Sequence, residues 1–358
     1  MPTSKILMID FQKQHALYGA EIQTSIDRVL RSGWYILGPE VERFETDFAT
    51  YLGSSHCVSV ASGTDALYLA LKALHVGAGD EVITVPNTAI PTAVAITQTG
   101  ATPVFCDIDP ATGQMDVSLV SSKLSPRTKA LIPVHLFGSM VPLEPLLQFG
   151  IPVIEDACQA HGATLINKKA GTFGVMGCFS FYPTKNLGGI GDGGAIVTDD
   201  PALAQTLRSL RNYGQKTRYI CEQKGINSRL DEIQAAILST KLNYLESWNQ
   251  RRNTLANLYK SRLGDRCLAV PKDICSAYHL FVIKAKNRDA LKARLEKEGI
   301  QTNIHYPVPI YLQPGYSEFN TTSNQCPNAE AFCQSILSLP LYPEMDERDV
   351  LRVCDVIA

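Results

Sequence analysis

Residues 179–200 read FSFYPTKNLGGIGDGGAIVTDD, with Lys185 between a short apolar run and a cluster of glycines. The glycines Gly189, Gly191 and Gly194 match the spacing of a dinucleotide-binding fingerprint. That fingerprint leads into a helix, whereas the residues that follow here, AIVT, predict a strand. We therefore interpret the glycines as allowing a tight turn after Lys185. A single lysine is most often a solvated surface charge, so its role depends on the motifs around it.

Short apolar runs alternate with helical patterns on the N-terminal side of this stretch. Several runs are apolar on both faces, which is typical of parallel strands covered by helices. The alternation predicts an α/β domain. The predicted strands are 56–61, 81–85, 102–108, 129–137, 151–155, 178–182 and 195–198, with helices over 63–75 and from 90 to 97.

The C-terminal part of the chain is predicted to form a smaller unit. A helical pattern runs from about Arg229 to Leu263. Beyond it we predict a strand over 277–284 and helices over 288–299 and 328–337. We expect a large domain over residues 1–245, which includes the N-terminal segment, and a small α+β domain over 246–358.

Composition excludes several classes of protein. The chain has 358 residues, 45% of them hydrophobic and 19% charged, which excludes wholesale disorder. Lys plus Arg number 33 against 35 for Asp plus Glu, so no basic excess favours nucleic acid or a membrane surface. No apolar run of about 18 residues predicts a membrane helix, and no signal peptide is recognisable. The 10 cysteines include no CxxC pair, so we expect no metal site, but reduced thiols in the cytoplasm.

A second motif, VIEDACQAHG, spans residues 153–162. It places Asp156 at the C-terminal end of a predicted buried strand. Ligands of open α/β sheets gather at that edge, so Asp156 is a candidate site residue. An aspartate that begins a turn or caps the next helix explains the position equally well.

A third motif, ASGTD at residues 61–65, leads from a strand into a helix. Free backbone N–H groups and the helix dipole at such a point favour a phosphate. The simpler explanation of this motif alone is an ordinary N-cap at Ser62 or Thr64. Together, however, the three motifs offer a lysine for an aldehyde, a carboxylate for a pyridine nitrogen and a helix N-terminus for a phosphate. That combination is what pyridoxal phosphate requires.

The sequence resembles the DegT/DnrJ/EryC1/StrS sugar aminotransferases over nearly the whole chain. Besides the three motifs, the resemblance rests on GWYILGPEVERFETDFATYLG (33–53), GINSRLDEIQAAIL (225–238), HYPVPIYLQPGY (305–316) and LSLPLYP (337–343). It implies the type I aminotransferase fold, in which a mostly parallel seven-stranded sheet lies between helices and a smaller C-terminal domain follows. It also implies pyridoxal 5'-phosphate as the cofactor, with pyridoxamine 5'-phosphate as its intermediate form.

The resemblance further implies roles for individual residues. Lys185 would form the Schiff base with the cofactor and then move the proton, and Asp156 would pair with the pyridine nitrogen. The other cofactor contacts would come from Gly63, Thr64, Gln159, Ser180 and, from a neighbouring subunit, Asn227. The sugar or its diphosphate would contact Tyr182, His305 and Tyr306.

The stretch VPNTAIP at 85–91 departs from the family pattern. Many relatives carry an aromatic residue where this chain has Ala89, and that ring stacks on the cofactor. Asn87 is the candidate to take part in its place.

The implied function is an aminotransferase that makes an amino sugar in a ping-pong reaction. Its substrates would be L-glutamate and a dTDP-linked 3-keto-6-deoxyhexose, and its working unit a homodimer with shared active sites. One alternative is C4 amination of another dTDP-, UDP- or GDP-linked 4-keto sugar. Another is a non-catalytic regulatory protein that keeps the fold, although an intact Lys185, Asp156 and Ser180 argue against it. Dehydratases of the family carry histidine in place of the lysine, so Lys185 argues against that activity.

Overall fold

Strands and helices alternate along the first two thirds of the chain, as the apolar pattern predicts. A computed structural model describes residues 5–358, so residues 1–4 of the expected large domain lie outside the described residues. The α-helices are α1 (Phe11–Ser32), α2 (Pro39–Leu52), α3 (Gly63–Ala73), α4 (Pro91–Gln98), α5 (Glu144–Leu147), α6 (Pro201–Leu210), α7 (Glu232–Leu242), α8 (Leu245–Leu263), α9 (Arg288–Lys297), α10 (Pro327–Ser335) and α11 (Glu347–Ile357).

The strands are short, and most of them lie before residue 200. They are β1 (His56–Val60), β2 (Glu81–Thr84), β3 (Thr102–Phe105), β4 (Thr128–Leu131), β5 (Ile154–Asp156), β6 (Thr164–Leu165), β7 (Lys168–Lys169), β8 (Met176–Ser180), β9 (Gly194–Thr198), β10 (Gln215–Thr217), β11 (Ile220–Cys221), β12 (Ile274–Cys275), β13 (Phe281–Lys284) and β14 (Ile336–Leu339). Short 3₁₀ turns occur at Val117–Lys123, Leu136–Gly138, Gly264–Arg266, Ile310–Leu312, Pro314–Phe319 and Thr322–Asn324.

The central sheet is mostly parallel. One part has the strand order β1-β9-β8-β5 and the other has the order β3-β2-β4. Parallel bridges from Leu131 to Val153 and from Val134 to Asp156 join the two parts beside β4 and β5. Strand β9 alone runs antiparallel to its neighbours β1 and β8, whereas the other pairings in these parts are parallel.

Both faces of this sheet are buried, which is why its strands are apolar runs. In β1, Cys57 packs in one hydrophobic cluster, while Val58 and Val60 pack in another. In β9, Val197 and Ile196 divide between the two clusters in the same way. Successive side chains of a strand point to opposite faces, so the two clusters cover the two sides of the sheet. Helix α3 packs against β8 and β9 on one of these sides.

A third hydrophobic cluster belongs to the C-terminal part of the chain. It gathers residues from α8, β13, β14 and α11, and β13 pairs antiparallel with β14. Ile6 also packs there and forms a parallel bridge with Ile300, so the beginning of the chain lies against the small unit. The division near residue 245 stays a prediction, and helix α8 begins at that residue.

Three sequence-based expectations differ from the structure. The helical region 229–263 is two helices, α7 and α8, separated by a break near Asn243. The helix expected over 328–337 ends at Ser335, and the next residues form strand β14, whose side chains are all buried. The glycines from 188 to 194 do not adopt left-handed backbone. Glycine is needed there because other parts of the backbone lie close. A Cβ on Gly194, for example, would come within 2.3 Å of the Ser62 carbonyl oxygen.

Within residues 5–358, none of the helices combines the length and the apolar character that crossing a membrane requires.

Candidate active site

A cavity of about 410 Å³ lies where the C-terminal ends of β5 and β8 meet the N-terminus of α3. This is the edge at which ligands bind in open α/β sheets. Nine of the residues predicted for the site line it: Lys185, Asp156, Gly63, Thr64, Gln159, Ser180, Tyr182, His305 and Tyr306. Asn227 lies outside this cavity and is exposed. The three motifs, which are far apart in the sequence, therefore meet in one place.

The N-terminus of α3 forms one end of the cavity. Ser62 is the N-cap residue, and its hydroxyl accepts the backbone N–H of Asp65 at 3.1 Å. The N–H groups of Gly63 and Thr64 belong to the first turn, where no helical carbonyl can accept them. A Cβ on Gly63 would lie 2.7 Å from Cβ of Ser180 and 3.0 Å from Sγ of Cys158. Glycine is therefore required by the close approach of these side chains.

Lys185 lies on the turn that follows β8, and its N–H donates to the carbonyl of Tyr182 at 2.9 Å. Burial lowers the pKa of the Lys185 amine, and the neighbouring Cys158 and Asp156 partly oppose that effect. A lowered pKa increases the fraction of the neutral amine, which is the nucleophilic form.

Asp156 is the last residue of β5 and is almost fully buried. Its Oδ2 accepts the hydroxyl of Thr92 at 2.8 Å, and its Oδ1 accepts the backbone N–H of Cys158 at 3.2 Å. Both carboxylate oxygens therefore have a donor from the protein, which fixes the side chain at the edge of the cavity.

Gln159 connects the Asp156 loop to the C-terminal part of the chain. Its Oε1 accepts the backbone N–H of Phe137 at 2.8 Å, and its Nε2 donates to the hydroxyl of Tyr306 at 3.3 Å. Burial raises the pKa of Tyr306 to about 12, so the phenol stays protonated. Because this hydroxyl accepts from Gln159, its own proton is available to a ligand.

His305 is held on both ring nitrogens. Nδ1 lies 2.8 Å from Oγ of Ser338, and Nε2 lies 3.2 Å from Nδ2 of Asn303. Burial, and then the charge of Lys185, lowers the pKa of His305 to about 4. The imidazole is therefore neutral near pH 7 in this structure.

The 85–91 segment does not contribute as predicted. Ala89 and Thr88 line the cavity, but Asn87 is buried away from it, and its Nδ2 donates to the carbonyl of Gly113 at 3.0 Å. Asn87 is therefore the wrong candidate for a partner of the cofactor ring. The contribution of this region comes from Thr92, through its bond to Asp156.

The amino-acid sequence matches the model of the DegT/DnrJ/EryC1/StrS aminotransferase family over residues 17–358. The chain belongs to this family. It is 44% identical to the dTDP-3-amino-3,4,6-trideoxy-alpha-D-glucose transaminase of Streptomyces venezuelae, over 99% of this chain and 96% of that protein. It is 41% identical to a UDP-N-acetyl-3-dehydro-alpha-D-glucosamine 3-aminotransferase of Acidithiobacillus ferrooxidans, over 98% of this chain and 97% of that protein.

The fold of this family member matches that of a solved relative. The crystal structure of DesV from S. venezuelae, in complex with a ketimine intermediate, superposes with a TM-score of 0.96 at 43% identity. The match covers 99% of this chain and 98% of that chain. The predicted fold class is thereby confirmed, and the protein is a pyridoxal-phosphate-dependent sugar aminotransferase.

The residues of this aminotransferase fit the cofactor. The first-turn N–H groups of Gly63 and Thr64 at the N-terminus of α3 line the cavity and suit a phosphate. The oriented carboxylate of Asp156 suits a protonated pyridine nitrogen, and Lys185 is a buried amine in the same cavity. The side chain of Ser180 lies beside Gly63 at the N-terminus of α3, and Gln159 has an amide beside the Asp156 loop.

Some residues of the cavity were not predicted as site residues. Thr92 and His279 lie within stretches whose patterns indicated only a helix and a strand, and nothing marked their side chains. Cys158 belongs to the quoted 153–162 motif, where its position between two predicted site residues was the available signal. Met8 and Asn303 reach the cavity from parts of the chain without a motif, so only the tertiary structure brings them there.

Proposed function

We propose that this enzyme transfers the amino group of L-glutamate to C3 of a thymidine-diphosphate-linked 3-keto-6-deoxyhexose. The observation that carries the proposal is a single cavity in which Lys185 and Asp156 lie with Tyr182, His305 and Tyr306. The choice of C3 is supported by the two relatives above, since both of their names place the amino group at that carbon. Those names differ in the nucleotide, so the carrier is part of the test.

The chemistry divides between the cofactor and the chain. When bound, pyridoxal phosphate supplies an aldehyde that takes the amino group and a ring that stabilises negative charge. Lys185 would hold the cofactor through its amine, and the same amine would move the proton at the α-carbon of glutamate. Asp156 favours the protonated ring nitrogen because its negative charge stabilises the cation. With the sugar, the same lysine returns a proton to carbon.

The sugar side of the site offers neutral hydrogen-bonding groups. Tyr306 keeps its proton for a ligand oxygen, and Gln159 fixes its orientation. Tyr182 is 53% exposed, so it stands at the mouth of the cavity. Because burial and the charge of Lys185 lower its pKa to about 4, His305 is neutral near pH 7. We propose that His305 orients the ligand by hydrogen bonding rather than by charge.

The test supplies holoenzyme and L-glutamate with matched ketones, and NMR locates the new amine. The ketones are a 3-keto and a 4-keto 6-deoxyhexose on dTDP, and the 3-keto sugar on UDP. We expect amination at C3 with preference for dTDP. An amine at C4, or equal use of both dTDP ketones, would contradict the regiochemistry but not the aminotransferase reaction. A preference for UDP would contradict only the carrier.

The amino donor is tested separately by the half-reaction. Holoenzyme is mixed with L-glutamate, L-glutamine or L-alanine without any sugar, and the change of the cofactor's visible absorption is followed. We expect L-glutamate to react fastest and to yield 2-oxoglutarate. A faster reaction with either other amino acid would contradict the proposed donor.

We also propose that the working unit is a homodimer in which Asn227 completes the partner's phosphate site. Asn227 is exposed and outside its own cavity, whereas the adjacent Ser228 bonds Asp65 of α3 at 2.6 Å. Segments that contact residues 226–234 carry exposed apolar side chains. These are Trp34, Tyr35, Ile190 and Tyr213, with exposed fractions of 58%, 50%, 55% and 44%. An exposed patch of large apolar side chains indicates a surface that another chain covers.

Complementation tests the shared site. Lys185→Ala and Asn227→Ala are each expected to be impaired, but a mixed dimer carries one site with both residues intact. Unfolding and refolding the two variants together should restore about a quarter of wild-type activity, because half of random dimers are mixed and each has one good site. No gain on mixing, or full activity of a monomer in light scattering, would contradict the proposal.

Two further assignments belong to this proposal. We place the boundary between the large and small domains near residue 245, supported by Leu255 and Tyr259 of α8, which pack in the C-terminal cluster. We place the enzyme in the cytoplasm, supported by its 10 free cysteines, because thiols persist in a reducing compartment.

A further inference from the structure

We propose that Thr92 is a positioning residue that holds the Asp156 carboxylate in its working orientation. The inference rests on the proposed role of Asp156 as the partner of the pyridine nitrogen. It concerns a residue whose position in the sequence indicated only a helix.

The geometry is that of a buried, oriented hydrogen bond. The Thr92 hydroxyl donates to Oδ2 of Asp156 over 2.8 Å. Thr92 is 1% exposed and Asp156 is 5% exposed, so solvent competes little for this bond. The second oxygen, Oδ1, accepts the backbone N–H of Cys158 at 3.2 Å. Two donors from different segments thus fix both the position and the rotation of the carboxylate.

The local structure explains why this hydroxyl is free to make the bond. Threonine hydroxyls within helices usually donate to the carbonyl three or four residues earlier. Thr97 of the same helix does so, with bonds of 3.0 Å to the carbonyl of Ala93 and 3.1 Å to that of Val94. Thr92 is the second residue of α4, so the residues three and four positions earlier, Ala89 and Thr88, precede the helix, and its hydroxyl donates to Asp156 instead.

Removal of the Thr92 hydroxyl should weaken cofactor binding and slow the reaction at the cofactor. Thr92→Val keeps the shape of the side chain but leaves Oδ2 buried without its hydroxyl partner. A hydrogen bond to a charged group is worth about tenfold to a hundredfold in an equilibrium or rate. We expect a loss of this size in the affinity for pyridoxal phosphate and in the rate of the glutamate half-reaction. Thr92→Ser keeps the donor and should stay within about threefold of wild type.

The experiment compares Thr92→Val and Thr92→Ser with Thr97→Val as the matched control. Three quantities are measured for each purified protein: the dissociation constant of pyridoxal phosphate, the pH midpoint of the cofactor's visible absorption and the half-reaction rate with glutamate. The proposal expects all three to change in Thr92→Val, to recover in Thr92→Ser and to be unchanged in Thr97→Val. A merely structural role would lower the melting temperature of the apoprotein without moving the absorption midpoint. Should Thr92→Val fail to fold, Thr92→Ala takes its place.

A double-mutant cycle with Asp156→Asn separates this inference from the proposed function. If Thr92 acts through the carboxylate, Thr92→Val should change little further in the Asp156→Asn background. Full additivity of the two changes, or a wild-type absorption midpoint in Thr92→Val beside an impaired Asp156→Asn, overturns the role of Thr92 alone. Near wild-type turnover of Asp156→Asn itself overturns the assignment of Asp156 on which the inference rests.

Discussion

Lys185 combines two properties that a catalytic amine needs, a place in the cavity and a lowered pKa. We expect Lys185→Ala to lose at least about a thousandfold in turnover, within the range that a proton-transferring side chain contributes. Lys185→Arg should be equally inactive, because a guanidinium keeps its proton. Steady-state transamination with glutamate measures both, and the exposed Lys286→Ala is the control. Retained turnover in Lys185→Ala would remove this residue from the reaction.

His305 shows where residue-level reasoning from the sequence stops. Its motif placed it in the cavity, and that placement agrees with the structure. Its charge could not be predicted, because the neutral state follows from burial in the folded chain and from the charge of Lys185, which is far away in the sequence. Lys185 and Asp156 were easier to predict, because each lies in a contiguous motif whose neighbouring residues indicate a ligand site.

The neutral imidazole of His305 leads to a prediction about binding. We expect His305→Asn to raise the Michaelis constant for the nucleotide sugar by about tenfold, the worth of one or two lost hydrogen bonds. The glutamate half-reaction should be almost unchanged, because it involves no sugar. The pH dependence of the sugar's Michaelis constant between pH 6 and 8 should not change either. If the Michaelis constant of the wild-type enzyme rises between pH 6 and 7 and that of His305→Asn does not, the imidazole is charged.

At the scale of elements, helix α3 depends on glycine at its first position. In Gly63→Ala the new methyl group would lie 2.7 Å from Cβ of Ser180 and 3.0 Å from Sγ of Cys158. Neither neighbour can retreat far, so we expect the affinity for pyridoxal phosphate to fall by about a hundredfold or more. Equilibrium dialysis measures it. Gly77→Ala is the matched control, since only the Thr99 carbonyl lies near its Cβ, at 3.8 Å. An unchanged affinity in Gly63→Ala would contradict the phosphate role of this helix N-terminus.

Most elements around the sheet could be predicted because both of its faces are buried. The stretches that contain β4 and β5, residues 129–137 and 151–155, are largely apolar, which is typical of strands in a covered sheet. The direction of β9 could not be predicted, since its residues are as apolar as those of a parallel strand and pairing is decided by the whole chain. The helix predicted over 328–337 covers the first two residues of β14, because ILSL carries no period that distinguishes a strand from a helix over so few residues.

At the scale of the molecule, the two ends of the chain meet around the site. Ile6 bridges Ile300, and the adjacent Met8 and Asn303 line the cavity beside the large-domain motifs. No local pattern could predict this contact, because it joins residues almost 300 positions apart. The large-domain part of the site was therefore accessible from sequence, whereas the wall contributed by the N-terminal segment was not.

The burial of several histidines gives the apoprotein a predicted sensitivity to acid. Burial, and then the charge of Lys185, lowers the pKa of His161 to about 3 and that of His305 to about 4. Burial likewise lowers the pKa of His279 well below its usual value. The unfolded chain takes up protons near pH 6.5, whereas the folded chain does not. The contribution of these neutral histidines to the free energy of unfolding is therefore fully present above about pH 6.5. It is lost as the pH falls toward 4, by about 1.4 kcal/mol per pH unit for each histidine.

Urea unfolding of the apoprotein between pH 8 and 5 measures the slope of the free energy of unfolding against pH. His161 is the best residue to remove, because it is fully buried and packs against Phe179 and Phe181, with ring centroids 5.4 and 5.9 Å away. His161→Phe should keep the aromatic packing and reduce the slope below pH 6 by about one proton. His15→Gln, at an exposed position of α1, should leave the slope unchanged. Because the comparison uses slopes, a general loss of stability in either variant does not affect it. Equal slopes for wild type and His161→Phe would show that His161 titrates alike in the folded and unfolded chains, and the burial argument would fail.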